Sequence, residues 1–198
     1  MLTENELIKF RRELHSYPET GWCEFVTTHK IVEKLRSFGL DPIYGRQVIN
    51  PEFVAGRNPA KVEEAKKAAL EKGVPPEFIE SMQDYTGVAA IFETGRPGPV
   101  LAIRFDMDCV DVDEAHEAGH RPFDEGWAST NPGHMHSCGH DGHATMGIAV
   151  CNWIQENLDQ FCGTIKVVFQ PAEEGVRGAR PMTETGIFDD VDFFFGNH

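Results

Sequence analysis

The feature that most constrains the fold is an alternation of short apolar runs with amphipathic segments. Runs rich in β-branched and aromatic residues predict strands at 88–92, 100–105, 164–169 and 191–195. Apolar residues at helical spacing predict helices between them, including one from about Glu24 to Phe38 and one from His143 to Phe161. This alternation is typical of α/β proteins, in which helices cover the faces of a sheet. We therefore predict an α/β three-layer sandwich.

Local signals refine this outline. Thr3 and Glu6 form a capping box that predicts a first helix. The turn at 95–98 predicts that strands 88–92 and 100–105 pair with each other. Residues 46–85 are predicted to be a polar, peripheral helical insertion in a single catalytic-type unit spanning 1–198. The helix at 143–161 is predicted to pack through the following apolar side chains: Met146, Val150, Trp153, Ile154 and Leu158.

Polar side chains follow the predicted strands. Asp106 and Asp108 come after 100–105, Glu173 and Glu174 come after 164–169, and His198 comes after the last strand. Open α/β sheets bind their ligands at the carboxyl ends of the strands. We therefore expect a functional site at this edge.

The segment 134–143 adds histidine and cysteine to these carboxylates, and together these side chains are the types that bind zinc and related ions. In a loop, residues two apart project to the same side. Cys138 and His140 can then reach one metal, or two metals about 3.5–4 Å apart. Glu173 and Glu174 are adjacent and must point differently, so one can ligate while the other takes a proton from water. A hydrolytic metal site is the leading hypothesis.

Other interpretations of these residues remain. Cys138 could be a nucleophile activated by His140 or His136, as in a cysteine hydrolase, although this leaves the two glutamates without a role. His134, His136 and His143 are interpreted as structural or supporting groups, because a single site cannot use every imidazole.

The composition excludes several partners. A formal net charge of -14 argues against binding to nucleic acid or to an anionic membrane. The N-terminal residues have no apolar signal region, and no apolar run approaches transmembrane length. Five cysteines without framework spacing favour reduced thiols, and hence the cytoplasm.

Several ordered motifs carry a family resemblance. They are Arg11-Arg12-Glu13-Leu14-His15 with Pro18-Glu19, Arg104-Phe105-Asp106-Met107-Asp108, His136-Ser137-Cys138-Gly139-His140-Asp141-Gly142-His143, and Gln170-Pro171-Ala172-Glu173-Glu174-Gly175. In this order they resemble the amidohydrolase branch of the aminoacylase/carboxypeptidase-like metallopeptidases. Further segments, including Gly21-Trp22 with Glu24-Phe25, are similar to members that cleave p-aminobenzoyl-glutamate.

The resemblance implies a role for each site residue. Cys138 would bridge two divalent metal ions, zinc or manganese. His140, Glu174 and His198 would ligate them, and Glu173 would be the catalytic base. Asp108 would be a supporting acid of the catalytic group. Asp106 stands where other branches have a ligand histidine, and its role stays open.

The resemblance also implies a zinc-peptidase fold that is only partly present. By this resemblance, the family's lid domain and a further histidine ligand would lie outside these 198 residues. The implied activity is hydrolysis of an N-acyl amino acid, and the implied partner is a related subunit in a homo- or hetero-oligomer. The alternative is a non-catalytic metal-binding or partner subunit of such an enzyme.

Overall fold

A computed structural model describes residues 1–196 and 198 and contains a mixed five-stranded sheet. The strands are β1 (Ile43–Tyr44), β2 (Val88–Glu93), β3 (Val100–Asp106), β4 (Thr164–Gln170) and β5 (Phe193–Gly196). Their spatial order is β1-β2-β4-β3-β5. β3 runs parallel to both β4 and β5, whereas β2 is antiparallel to β1 and β4. The α/β prediction is confirmed.

The predicted pairing of strands 88–92 and 100–105 is wrong, because β4 lies between β2 and β3. β4 is buried along nearly its whole length, as a central strand must be. The connection after β2 does not close a hairpin but holds the start of β4. The Gly163 N–H donates to the Arg96 carbonyl at 2.8 Å, and the Thr94 N–H donates to the Gly163 carbonyl at 3.2 Å.

The helices are α1 (Glu4–His15), α2 (Phe25–Arg36), α3 (Pro59–Glu71), α4 (Pro76–Ser81), α5 (Arg121–Asp124), α6 (His140–Glu156) and α7 (Ala179–Thr183). The predicted capping box is present at α1, where the Glu6 N–H donates to the Thr3 hydroxyl at 3.3 Å and the Thr3 N–H donates to Glu6 at 2.8 Å. No helix among the described residues is both long enough and apolar enough to cross a membrane.

Alternate residues of β4 face two apolar clusters on opposite sides of the sheet. Val167 and Phe169 join the larger cluster, which includes residues of α1, α2 and α6. Val168 joins a smaller cluster with Trp22 and Ile49. Segment 46–85 is therefore not peripheral, since it supplies Ile49 to one cluster and other buried side chains to the larger one, including Val62 and Met82.

The predicted packing face of the helix at 143–161 is only partly correct. Ile154 is buried, and Val150 and Leu158 pack against the larger cluster. Met146 and Trp153 are instead 46% and 49% exposed, whereas Ile148 is fully buried. Gly147 allows the closest contact, because α6 lies so near the sheet that a Cβ on this residue would be 2.5 Å from Phe169 Cε1. This packing sets the start of α6 beside the carboxyl ends of β3 and β4.

Candidate metal centre

The residues predicted to gather at one edge of the sheet do so. β3 ends at Asp106, β4 ends three residues before Glu173, and β5 ends two residues before His198. Because these strands are parallel, their carboxyl ends meet at the same edge. His140 approaches the same edge as the first residue of α6. Helix α6 thus begins three residues earlier than predicted, after Gly139 in the left-handed conformation at φ 80°.

Two imidazoles and a carboxylate converge at the centre of this cluster. His140 Nε2 lies 3.3 Å from His198 Nε2. Glu173 Oε2 lies 3.7 Å from the first of these nitrogens and 3.6 Å from the second. The possible ligand atoms form two groups, and within each group all atoms lie within 4.8 Å of one another. Both groups include His140. The first also contains Asp106 and His198, and the second also contains Glu173 and Glu174. The arrangement suits two adjacent cations.

Asp108 fixes the orientation of His140. His140 Nδ1 lies 3.0 Å from the Asp108 carbonyl oxygen and 3.3 Å from Asp108 Oδ1, which leaves Nε2 facing the centre. Burial alone would lower the pKa of His140, but the hydrogen bond and charge of Asp108 outweigh it and raise that pKa. Metal-ligating histidines in proteins are held by just such a contact on the other ring nitrogen.

The environment of Glu174 also supports a metal site at this centre. Its Oε1 atom is buried and has no hydrogen-bond partner within the described part of the chain. Leaving a buried carboxylate oxygen unsatisfied costs on the order of 1–3 kcal/mol or more. The Glu174 N–H donates to Asp108 Oδ2 at 3.1 Å, so the backbone here is held while the Oε1 atom lacks a partner. This donor set of imidazole and carboxylate fits a divalent cation.

Cys138 lies at the margin of the cluster. Its side chain is exposed, and a hydrogen bond with Glu174, followed by partial burial and nearby negative charge, raises the pKa of the thiol to about 11. A nucleophilic cysteine requires a lowered pKa. Both ring nitrogens of His140 are directed elsewhere, toward Asp108 and His198. His136, the other candidate activator, makes no hydrogen bond to Cys138, because neither of its ring nitrogens has a partner among the described residues. The geometry therefore argues against the cysteine-hydrolase alternative, and the bridging role of Cys138 stays a prediction.

The two aspartates of the cluster differ in position. Asp108 is fully buried and contacts His140 and the Glu174 backbone, so it positions other site residues. Asp106 faces the centre, with Oδ2 4.0 Å from His140 Nε2 and 3.3 Å from His143 Nδ1. Burial raises the pKa of Asp106, and the Arg104 guanidinium paired with it partly offsets that effect.

The remaining histidines of segment 134–143 occupy different environments. His134 Nε2 pairs with Asp111 at 3.3 Å, away from the centre. Burial lowers the pKa of His136 to about 4, and neither of its ring nitrogens has a hydrogen-bond partner among residues 1–196 and 198. The His143 ring stacks on His140 at 5.2 Å between centroids. His143 is thus a supporting neighbour of the centre.

A buried network behind the centre was missed in the sequence. His15 Nδ1 lies 2.9 Å from Asp141 Oδ2, and His15 Nε2 lies 3.0 Å from Glu114 Oε1. Burial would lower the pKa of His15, but these two hydrogen bonds outweigh it and raise that pKa. Asp141 follows His140 directly, so the network fastens the start of α6 to α1. Its members are 99 and 126 residues apart, and no local signal links them.

Comparison with known proteins points to a peptidase family. Residues 102–198 match the model of peptidase family M20/M25/M40. The chain is 47% identical over 195 residues to a Haemophilus influenzae homolog of one of the subunits of p-aminobenzoyl-glutamate hydrolase, covering 98% of this chain and 46% of that protein.

Two solved structures are similar over 98% of the chain. An aminobenzoyl-glutamate utilization protein from Klebsiella pneumoniae has a TM-score of 0.79 at 33% identity, with 43% of its chain covered. A dinuclear metal-binding peptidase of family M20 from Bacillus subtilis has a TM-score of 0.72 at 29% identity, with 42% of its chain covered. The present chain therefore spans about half the length of the proteins that it matches.

Proposed function

Residues 102–198 belong to peptidase family M20/M25/M40, and from this premise we propose that the chain forms the metal-binding part of a metal-dependent amidohydrolase. The observation that carries the proposal is the convergence of His140 Nε2, His198 Nε2 and Glu173 Oε2 within 3.7 Å at the carboxyl edge of a parallel strand set. A general base beside metal-ligating imidazoles is an arrangement suited to metal-dependent amide hydrolysis.

Each site residue has a separate part in the proposed reaction. His140, Glu174 and His198 would hold the metal ions, and Cys138 would bridge them as a thiolate. When bound, divalent ions would polarise the amide carbonyl and lower the pKa of water from 15.7 toward about 7. Glu173 accepts the proton of the attacking water and returns it to the leaving amine. Asp108 keeps His140 Nδ1 occupied, so that Nε2 remains available to the metal.

The substrate proposal rests on the relatives. The similar proteins from Haemophilus and Klebsiella are named for aminobenzoyl-glutamate. We therefore propose p-aminobenzoyl-glutamate as substrate, with p-aminobenzoate and glutamate as products. Two ions of zinc or manganese would serve, since thiolate and imidazole favour zinc and carboxylates also suit manganese.

The partner and the cellular setting are proposed on separate grounds. The name of the Haemophilus protein describes one subunit of a larger enzyme, which supports a partner of related sequence in a homo- or hetero-oligomer. Reduced thiols support a cytoplasmic setting, and the five cysteines of this chain are free.

The test compares Glu173→Gln with the unmodified chain, alone and mixed with candidate partner subunits. In any active assembly, turnover of p-aminobenzoyl-glutamate should fall by roughly 10²–10⁴-fold while bound metal is retained. Glu184→Gln on the exposed end of α7 is the control, and it should leave both quantities unchanged. Near-normal turnover by Glu173→Gln would remove Glu173 from the mechanism.

The second candidate function is a non-catalytic metal-binding subunit. It is favoured by the exposure of two proposed ligands, because the His198 side chain is 54% exposed and Cys138 is also exposed. Metal binding without turnover in every assembly would support this candidate, whereas metal-dependent turnover would exclude it.

A further inference from the structure

Glu24 is a fully buried carboxyl group with no part in the proposed chemistry. It precedes α2, yet its side chain does not cap that helix. Its Oε1 atom accepts the Ala172 N–H at 2.8 Å, and its Oε2 atom accepts the Thr86 hydroxyl at 2.6 Å. Glu24 therefore joins the start of α2 to the segment that follows β4.

Ala172 occupies a strained backbone conformation at the start of the turn that carries Glu173 and Glu174. Its φ is +48°, a region that costs a residue with a Cβ of the order of 1–3 kcal/mol. Surrounding contacts hold it there. The Ala172 carbonyl accepts the Gly178 N–H at 2.8 Å, and a Cβ added to Gly21 would lie 2.9 Å from Ala172 Cα. The Glu24 carboxyl holds Ala172 on its other side by accepting its N–H.

A second buried carboxyl holds the same turn two residues later. Asp108 accepts the Glu174 N–H at 3.1 Å, so Glu173 lies between two anchored amides. Burial, followed by the charge of Asp108, raises the pKa of Glu24 to about 8. Because Glu24 is largely protonated, it does not place a second negative charge beside that of Asp108. Glutamine is consequently a close mimic of Glu24 at neutral pH.

We propose that Glu24 is a positioning residue of the metal centre, which fixes the Ala172–Glu174 turn and thereby the directions of Glu173 and Glu174. The inference deepens the proposed function and rests on it for the effect on metal binding. The holding of the turn is a property of the fold alone.

The experiment compares Glu24→Gln, Glu24→Asp and Glu24→Ala by hydrogen exchange of the Ala172 and Glu174 amides. Glu24→Gln keeps an oxygen that can accept the Ala172 N–H, so it should preserve the protection of this amide from exchange. Aspartate keeps the acid but is one methylene shorter, so it should raise exchange at Ala172 at least about tenfold, as should alanine. If alanine prevents folding, the Gln and Asp pair still decides the matter.

Glu19→Ala is the matched control. Glu19 is also buried and accepts the Val26 and Thr27 N–H groups of α2 at 3.0 and 2.7 Å, away from the turn. It should destabilise the chain without selectively exposing the Ala172 amide. The proposal would be overturned if the Ala172 amide exchanged as slowly in Glu24→Asp as in the unmodified chain. It would also be overturned if Glu19→Ala lost as much protection of the Ala172 amide as Glu24→Asp does.

The second readout is zinc affinity, measured by competition with a chelator. Glu24→Asp should bind zinc at least about tenfold more weakly than Glu24→Gln, which should match the unmodified chain. Equal affinities would overturn the effect on the metal centre. An unmodified chain that binds no zinc would refute the proposed function, while hydrogen exchange would still decide whether Glu24 holds the turn.

Discussion

Gly147 gives the sharpest test of how α6 places His140 at the sheet edge. Its position allows α6 to approach β3 and β4 closely. An added Cβ would lie 2.5 Å from Phe169 Cε1 and 2.9 Å from Phe105 Cδ2. Phe169 is fully buried and Phe105 nearly so, so neither ring can move into solvent. We expect Gly147→Ala to destabilise the fold although alanine is the better helix former.

The magnitude follows from two opposing contributions. Replacing glycine by alanine inside a helix stabilises it by up to about 1 kcal/mol. Forcing a methyl group into a packed core costs about 1–3 kcal/mol. The net change for Gly147→Ala should therefore be a loss of up to about 2 kcal/mol in the free energy of unfolding.

Gly142→Ala on the same helix is the control, because the nearest atom to its added Cβ is Arg11 Nε at 3.8 Å. Urea unfolding followed by circular dichroism should show this variant to be as stable as the unmodified chain, or more stable. The variant at Gly147 should be the less stable of the two by about 1–3 kcal/mol. Equal stability of the two variants would refute the close packing of α6.

Three further predictions concern the site and the sheet edge. Cys138→Ser should lower the metal content measured by elemental analysis, yet change the free energy of unfolding by no more than about 0.5 kcal/mol, since the side chain is exposed; an unchanged metal content would contradict the bridging role. Because the pKa of His15 is raised, its stabilising effect is full below its unfolded value of about 6.5 and is lost as pH rises through the folded value. The stability deficit of His15→Asn should consequently be larger at pH 6 than at pH 9 in urea titrations, and a deficit independent of pH would count against a charged His15. Phe195 is 61% exposed on the edge strand β5, so Phe195→Lys should reduce self-association in light scattering, and unchanged association would exclude this edge as the contact.

Sequence patterns predicted the elements better than their arrangement. The strands were found within a few residues because β-branched runs and turn residues are local signals. The position of β4 between β2 and β3 depends on pairing between distant segments, and no local pattern encodes it. The packing face of α6 was only partly predicted, for a related reason. Large apolar residues such as Met146 and Trp153 dominate the helical periodicity, whereas the close contact uses small ones.

The site was predictable to a similar extent. Placement at strand ends brought Asp106, Glu173, Glu174 and His198 to one edge of the sheet, as expected from the sequence, and His140 joins them from the start of α6. The buried anchors were not predictable. Glu24 reaches across 148 residues to the Ala172 amide, and a glutamate before a helix normally indicates only a solvent-exposed start.

We propose that this cluster binds divalent metal through imidazole, carboxylate and thiolate together. Titration of the metal-free chain with Co²⁺, followed by absorption spectroscopy, distinguishes this mode of binding from others. We predict saturable binding with a thiolate-to-cobalt charge-transfer band. The band should disappear in Cys138→Ser, and binding should weaken in His140→Ala, while Cys162→Ser, which alters another exposed cysteine, should leave both unchanged. Absence of saturable binding, or binding that is the same in all of these variants, would contradict the claim.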